Sequence, residues 1–305
     1  MTSGISSSST PRLMKIFAAV FILSVAAQLT YATPGDLYTS DVGSNHIYKF
    51  TPGGTQSTFT SQVDGPEGLA FDSAGNLFEA DVSSGNIYKF TSGGTRSTFA
   101  SGVNGPVGLA FDSAGNLFAA GVTSGNIYKF TPGGTQSTFA MGLSQLYGLA
   151  FDSAGNLFAG EYNSGNIYKF TPGGTRSTFA MGLSQPVGLA FDGAGNLFEA
   201  DHGSGLIYKF TPGGTRSTFA SGLNGPQGLA FDSAGNLFEA DGGSGHIFEF
   251  TPGGGPPITF ASMLNVPTFL AFEPGTAEVP DGGATLCLLA MSALGLVCVR
   301  RMVKA

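Results

Sequence analysis

The sequence has no tryptophan, only two cysteines and few charges. The cysteines, Cys287 and Cys298, both lie in a C-terminal apolar run. The rest of the chain therefore holds neither a disulfide nor a cysteine metal site. Charged residues are 11% of 305 positions and the net charge is −7. That balance speaks against a nucleic-acid partner, because phosphate binding needs a basic stripe. There is no Gly-x-Ser-x-Gly, no zincin motif and no phosphate loop. What the chain does have is 48 glycines, 16 prolines and 27 phenylalanines. Regular Gly-rich turns with many aromatics and little charge suit an all-β protein with extensive buried faces.

The glycines follow a 40-residue period. Gly-Leu-Ala-Phe-Asp begins at Gly68, Gly108, Gly148, Gly188 and Gly228, and a worn sixth copy reads Phe269-Leu270-Ala271-Phe272-Glu273. A repeat of this length with four strand-like runs predicts a β-propeller blade. In one copy, strand A is Gly68 to Phe71, B is Leu77 to Ala80, C is Ile87 to Phe90 and D is Arg96 to Ala100. Asp72-Ser73-Ala74-Gly75-Asn76 joins A to B, its Asp suited to accept backbone N–H bonds and its Gly to positive φ. Pro-Gly-Gly, as at Pro132-Gly133-Gly134, turns C into D. Leu69 and Phe71 alternate with Gly68 and Ala70, so large residues can pack over small ones of the next blade.

The strand count predicts how the ring closes. The chain opens on strands B, C and D without an A (Asp36-Leu37-Tyr38, then Ile47 to Phe50) and ends on a lone A, Phe269 to Phe272. The last A strand should complete the first blade, giving six blades with no edge left unpaired. The consensus Pro-x-Gly-Leu-Ala-Phe-Asp-x-x-Gly-Asn-Leu-Phe-x-Ala-Asp resembles the NHL repeat. It is also similar to the group holding the senescence-marker-protein/gluconolactonase family and virginiamycin B lyase. The resemblance covers Asp36 to Glu273 and specifies a propeller far better than an activity.

Comparing the copies locates a candidate face. The A–B turns barely vary, whereas the B–C loops and the entries to strand A do. The variable positions include Glu67, Tyr147, Gln227, Tyr162 and His202, around the expected channel mouth. Strand B ends in Asp41, Asp81, Glu161, Asp201 and Asp241, with Glu79, Glu199 and Glu239 two residues earlier on the same side. Glu67, Asp81, Tyr147, Glu161, Tyr162, Asp201, His202, Gln227 and Asp241 form the candidate ligand face. The acids have two readings: a cation or sugar site, or caps on the B–C loops. His46, His202 and His246 flank B–C loops of consecutive blades, but about 10 Å between equivalent positions is too far for one zinc. Gluconolactonase-like enzymes hold a divalent metal with Glu, Asn and Asp at the channel. Only Glu67 matches that pattern; Val107, Tyr147, Val187, Gln227 and Thr268 at the equivalent sites are not a ligand set. Glu67 is thus the one candidate for a divalent cation, and no catalytic residue or cofactor is assigned.

Both ends read as targeting segments. Ile16 to Ala27 is almost wholly apolar, follows Arg12 and Lys15, and precedes Thr30-Tyr31-Ala32, which together predict a signal peptide over residues 1–32. Met14 is an alternative start. Residues 33–274 form the propeller and 275–283 a linker. Residues 284–299 are apolar and span about 24 Å as a helix, short of a hydrocarbon core of about 30 Å, a gap that snorkelling arginines can close. Arg300 and Arg301 open a basic tail, 300–305, expected to be cytoplasmic. The order Val279-Pro280-Asp281-Gly282, apolar helix, Arg-Arg resembles the PEP-CTERM class of bacterial sorting signals, nearest the VPDSG-type variant. That resemblance implies processing near Pro280 by an exosortase-like membrane protease, transient anchoring in the inner membrane and display on, or release from, a Gram-negative cell surface. The expected function is a binding or scaffold propeller for exopolysaccharide or another extracellular polymer or protein. The alternative is a metal-dependent lactonase or lyase.

Overall fold

A computed structural model describes residues 35–275 of the chain. The signal-peptide, sorting-motif and tail-helix expectations at Ala32, Val279, Pro280, Asp281, Gly282, Arg300 and Arg301 fall outside the described residues. Among those described, no helix is long and apolar enough to cross a membrane.

The described residues form six four-stranded antiparallel sheets, each ordered A-B-C-D by its hydrogen bonding. Blade 2 consists of A (Pro66–Phe71), B (Leu77–Asp81), C (Asn86–Phe90) and D (Arg96–Ala100). Blades 3 to 6 repeat this plan at 40-residue intervals. Blade 1 is composite: A is Pro267–Phe272, from the far end of the domain, and B, C and D are Leu37–Asp41, His46–Phe50 and Gln56–Thr60. The two ends lie side by side, with Glu273 N donating to Asp36 O at 2.9 Å. The predicted closure and blade count are both present. Strand A starts two residues earlier than the alternation indicates, at its proline. In blade 2, Pro66 pairs with Asp81, and a bulge intervenes before Leu69 meets Glu79.

Local chemistry explains the turns. In blade 2, Asp72 Oδ1 accepts N–H bonds from Ala74 at 3.0 Å and Asn76 at 2.8 Å, and Gly75 takes φ +76°. Burial pushes the Asp72 carboxyl up. The Asn76 and Ala74 donors and nearby Lys89 outweigh it and hold the pKa below the usual value. Lys89 lies 3.5 Å from Asp72 and 5.2 Å from the centre of the Phe78 ring. The same triad of Asp, Lys and Phe recurs in blades 3, 4 and 5.

The core lies in the seams between blades. Phe78, on strand B of blade 2, meets Phe99 of its own strand D and Phe111 of blade 3 edge-on, at 5.0 and 5.1 Å. Such pairs add about 0.5–1.5 kcal/mol each beyond area burial. Every strand B is buried along its whole length, because a blade lies against each face. Five of the six outer D strands begin with three exposed residues, and the sixth, Ile258–Ala261, with two.

Candidate functional site

The mouth of the ring is built by the second residue of each strand A. Two features of the sequence place it there. First, glycine follows at Gly68, Gly108, Gly148, Gly188 and Gly228. A Cβ at each would collide with the carbonyl of the neighbouring inner strand: that of Val107, Tyr147, Val187, Gln227 and Thr268 in turn. Only glycine lets five inner strands approach this closely. Second, blade 1 has Phe269 at that position. Phe269, Val107 and Val187, from blades 1, 3 and 5, form one buried apolar cluster, with Tyr147, Tyr162, Val82 and Val122 packed on it. These alternate blades close the floor of the mouth.

The other alternate blades supply polarity. Glu67, Tyr147 and Gln227, from blades 2, 4 and 6, are half-buried at the level where Val107 and Val187 are each 2% exposed. Around them, Tyr162 packs on Tyr147 with ring centres 5.0 Å apart, and His202 lies 6.3 Å from Tyr162. Burial raises the Glu67 carboxyl to about 7, partly offset by the nearby Thr268 hydroxyl. Burial, with the charge of Glu67 and the Tyr162 phenol, raises Tyr147. The structure thus brings together Glu67, Tyr147, Tyr162 and His202 from the predicted face, with Gln227 at the equivalent ring position of blade 6.

The strand-end acids are engaged as caps. Asp81 Oδ1 accepts from Ser84 N at 2.8 Å and Oδ2 from Asp64 N at 2.9 Å. Each such carboxylate ties its own B–C loop to the connection that enters its blade. Asp201 binds Ser204 N and Ser184 N, Asp241 binds Ser244 N and Asn224 N, and Asp41 binds Ser44 N and Asn265 N. Glu161 accepts from Ser144 N at 2.6 Å, from the Ser164 hydroxyl and from Tyr168 OH at 3.2 Å. Charge-assisted bonds of this kind hold the loops that frame the mouth. Glu79, Glu199 and Glu239 do not mark the face at all. Each is 0% exposed, inside a seam. In a blade sandwiched between two others, polar alternation on strand B leads to a neighbour rather than to water.

The histidines are separate. His46 Nδ1 donates to Ser44 O at 2.6 Å and its ring stacks on Tyr48, whereas His246 stacks on Phe248. Among the described residues, no three His, Cys, Asp or Glu side chains converge as a metal-ligand set. Sequence reasoning missed Phe269 as the floor of the mouth. It also missed the hydroxyls of the closing seam. Ser40 Oγ donates to Glu67 O at 2.6 Å and accepts from Phe269 N at 3.1 Å, with Thr268 Oγ1 2.9 Å away. The signal for Ser40 was present, since the other blades have Ala80, Ala120, Gly160, Ala200 and Ala240 there. The opposite face carries hollows between blades. One of about 480 Å³ is lined by Asp72, Phe78, Lys89, Phe99, Phe111 and Asp112, and others of about 210 and 230 Å³ lie between blades 5 and 6 and blades 6 and 1.

The sequence matches no protein-family model and no curated protein sequence. The fold, by contrast, matches solved six-bladed propellers. A chain of a nidogen/laminin complex aligns with TM-score 0.72 at 21% identity, over 79% of this chain and 98% of that one. Virginiamycin B lyase from Staphylococcus aureus aligns at 0.61 and 16%, over 81% and 94%. A protein provisionally named a gluconolactonase aligns at 0.64 and 17%, over 74% and 91%. These likenesses, with the six sheets, define the class as a six-bladed β-propeller. At these identities the shared property is the fold.

Proposed function

We propose that the chain is a binding propeller, exported and displayed at or released from a bacterial surface, whose ligand site is the mouth framed by Glu67, Tyr147, Tyr162, His202 and Gln227. The observation that carries this reading is the pair of tyrosines, Tyr147 and Tyr162, packed on the buried apolar cluster of Val107, Val187 and Phe269. Rigid tyrosines beside a few polar groups give contact area and orientation at low entropic cost. The ring of carboxylates that would otherwise suggest metal chemistry is occupied in capping loops. The ligand class is an extracellular polymer, polysaccharide or protein. One of the structurally similar propellers is itself part of a protein complex. Processing by an exosortase-like protease near Pro280 belongs to the same proposal and rests on the sorting motif alone.

A glycan and metabolite binding screen on the purified chain tests it, followed by titration of Tyr162→Ala and Tyr147→Ala. Each truncation should weaken binding roughly tenfold or more, as loss of a buried aromatic anchor does. Binding that survives both but falls on Lys89→Ala would move the site to the hollows of the opposite face. The metal-dependent lactonase or lyase reading is favoured only by Glu67, with its raised pKa at the mouth. A stoichiometric divalent ion in the purified protein, lost on Glu67→Gln, would replace the binding reading with that one.

A further inference from the structure

Glu79, Glu199 and Glu239 are 0% exposed, and among the described residues neither carboxyl oxygen of any of them has a well-formed hydrogen bond. Their seams follow from Leu77, Leu197 and Leu237, two residues earlier on the same face. Leu77 packs with Tyr38 and Ile47 of blade 1, Leu197 with Phe158 and Ile167 of blade 4, and Leu237 with Phe198 and Ile207 of blade 5. The acids therefore sit between blades 1 and 2, 4 and 5, and 5 and 6. The equivalent residues elsewhere are Ala119, Ala159 and Thr39; the two alanines pack in buried hydrophobic clusters.

We propose that three of the six seams are closed by un-ionised glutamic acids, and that the ring loosens along those seams as pH rises. The surroundings offer little to stabilise a carboxylate. Around Glu79 are Asp81 on its own strand, Glu67 on strand A, Arg96 on strand D and Tyr88 opposite it on strand C. The Arg96 guanidinium is stacked 4.6 Å from the Tyr88 ring and donates to Gln62 O. Around Glu199 are Asp201, Arg216 and, across the strand pair, Tyr208. Glu239 has Asp241, Phe248 and, near it but without hydrogen-bond geometry, the backbone N–H of Gln227; no arginine acts on it among the described residues. From the facing blades, Lys49, Lys169 and Lys209 are held at the turn end by Asp36, Asp152 and Asp192. An unpaired carboxylate buried in such a place is strongly disfavoured, so the proton is retained.

The direction of the linkage follows. Burial first, then the neighbouring aspartate, raises each acid well above 4.5 in the folded state. Below that value both states hold the proton and the seam is at full strength. Above it the unfolded chain gives up its protons first, and stability falls as pH rises towards the folded pKa.

Two measurements on the purified chain test this. The infrared spectrum at pH 7 should show a protonated-carboxyl band that weakens on Glu199→Gln alone and weakens further in the triple Glu79→Gln, Glu199→Gln, Glu239→Gln variant. A band unchanged by these substitutions overturns the proposal. The wild-type melting temperature should fall between pH 5 and pH 9 by roughly 10 °C or more. Either the triple glutamine variant or a triple alanine variant, which carries the residue blades 3 and 4 already use, should lose about half of that fall or more. A pH dependence identical in wild type and variants also overturns it.

Discussion

Five glycines and one phenylalanine occupy the same place on the innermost strands, and the two residue types do opposite jobs. Glycine brings strands together; Phe269 fills the axis they surround. Gly108→Ala forces a Cβ onto the Tyr147 carbonyl, backbone against backbone, and should cost about 4 kcal/mol or more by chemical denaturation. Phe269→Ala should cost about 3–5 kcal/mol through the cavity it leaves. Ser40→Ala removes a hydroxyl that both donates to Glu67 O and accepts from Phe269 N, leaving buried groups unpaired. It should cost about 1–3 kcal/mol in the same assay. The Glu67 carboxyl, raised to about 7, should titrate near neutrality in a carboxyl-resolved NMR experiment, far above an ordinary glutamate.

At the scale of turns and strands, the A–B turns and the seams bend the pH profile in opposite directions. Asp72, Asp112, Asp152 and Asp192 have carboxyls held below 3.8 despite burial, because Asn and backbone N–H donors and a lysine favour the charged form. Their contribution is present above that ordinary value and is lost as pH falls through the folded pKa. Substituting all four by Asn should flatten the acid limb of a melting-temperature profile and leave the alkaline limb in place. These turns were legible in the sequence, because Asp-x-x-Gly-Asn writes an acceptor, a left-handed glycine and its donor within five residues. The seam acids were not. On strand B a polar residue at every second position reads as a wet face, and only the stacking of blades shows that there is no wet face. The strand-end acids fell between the two. Their position was readable, but their hydrogen bonds to the preceding connection needed the ring.

For the whole molecule, the count of strands sufficed to give six blades and their closure, since a lone A and a missing A can only be each other's complement. Deleting residues 36–59 should strand the last A against nothing and expose two seams. The expected result is aggregation in size-exclusion chromatography; a monomeric, cooperatively melting truncation would refute the shared blade. The alternation of polar and apolar residues around the mouth was spelled out at Glu67, Val107, Tyr147, Val187 and Gln227, and broken at Thr268. Its meaning was hidden because the plug, Phe269, comes from a position that is glycine everywhere else.

The composite blade has a geometric consequence. Strand B leaves, and strand A arrives, at the same side of the ring, so Asp36 and Glu273 are neighbours on the turn face. Any leash attached beyond either residue pulls from that one rim. A propeller tethered there would turn Glu67, Tyr147 and Gln227 away from its tether, because strand A begins on the face opposite the A–B turns.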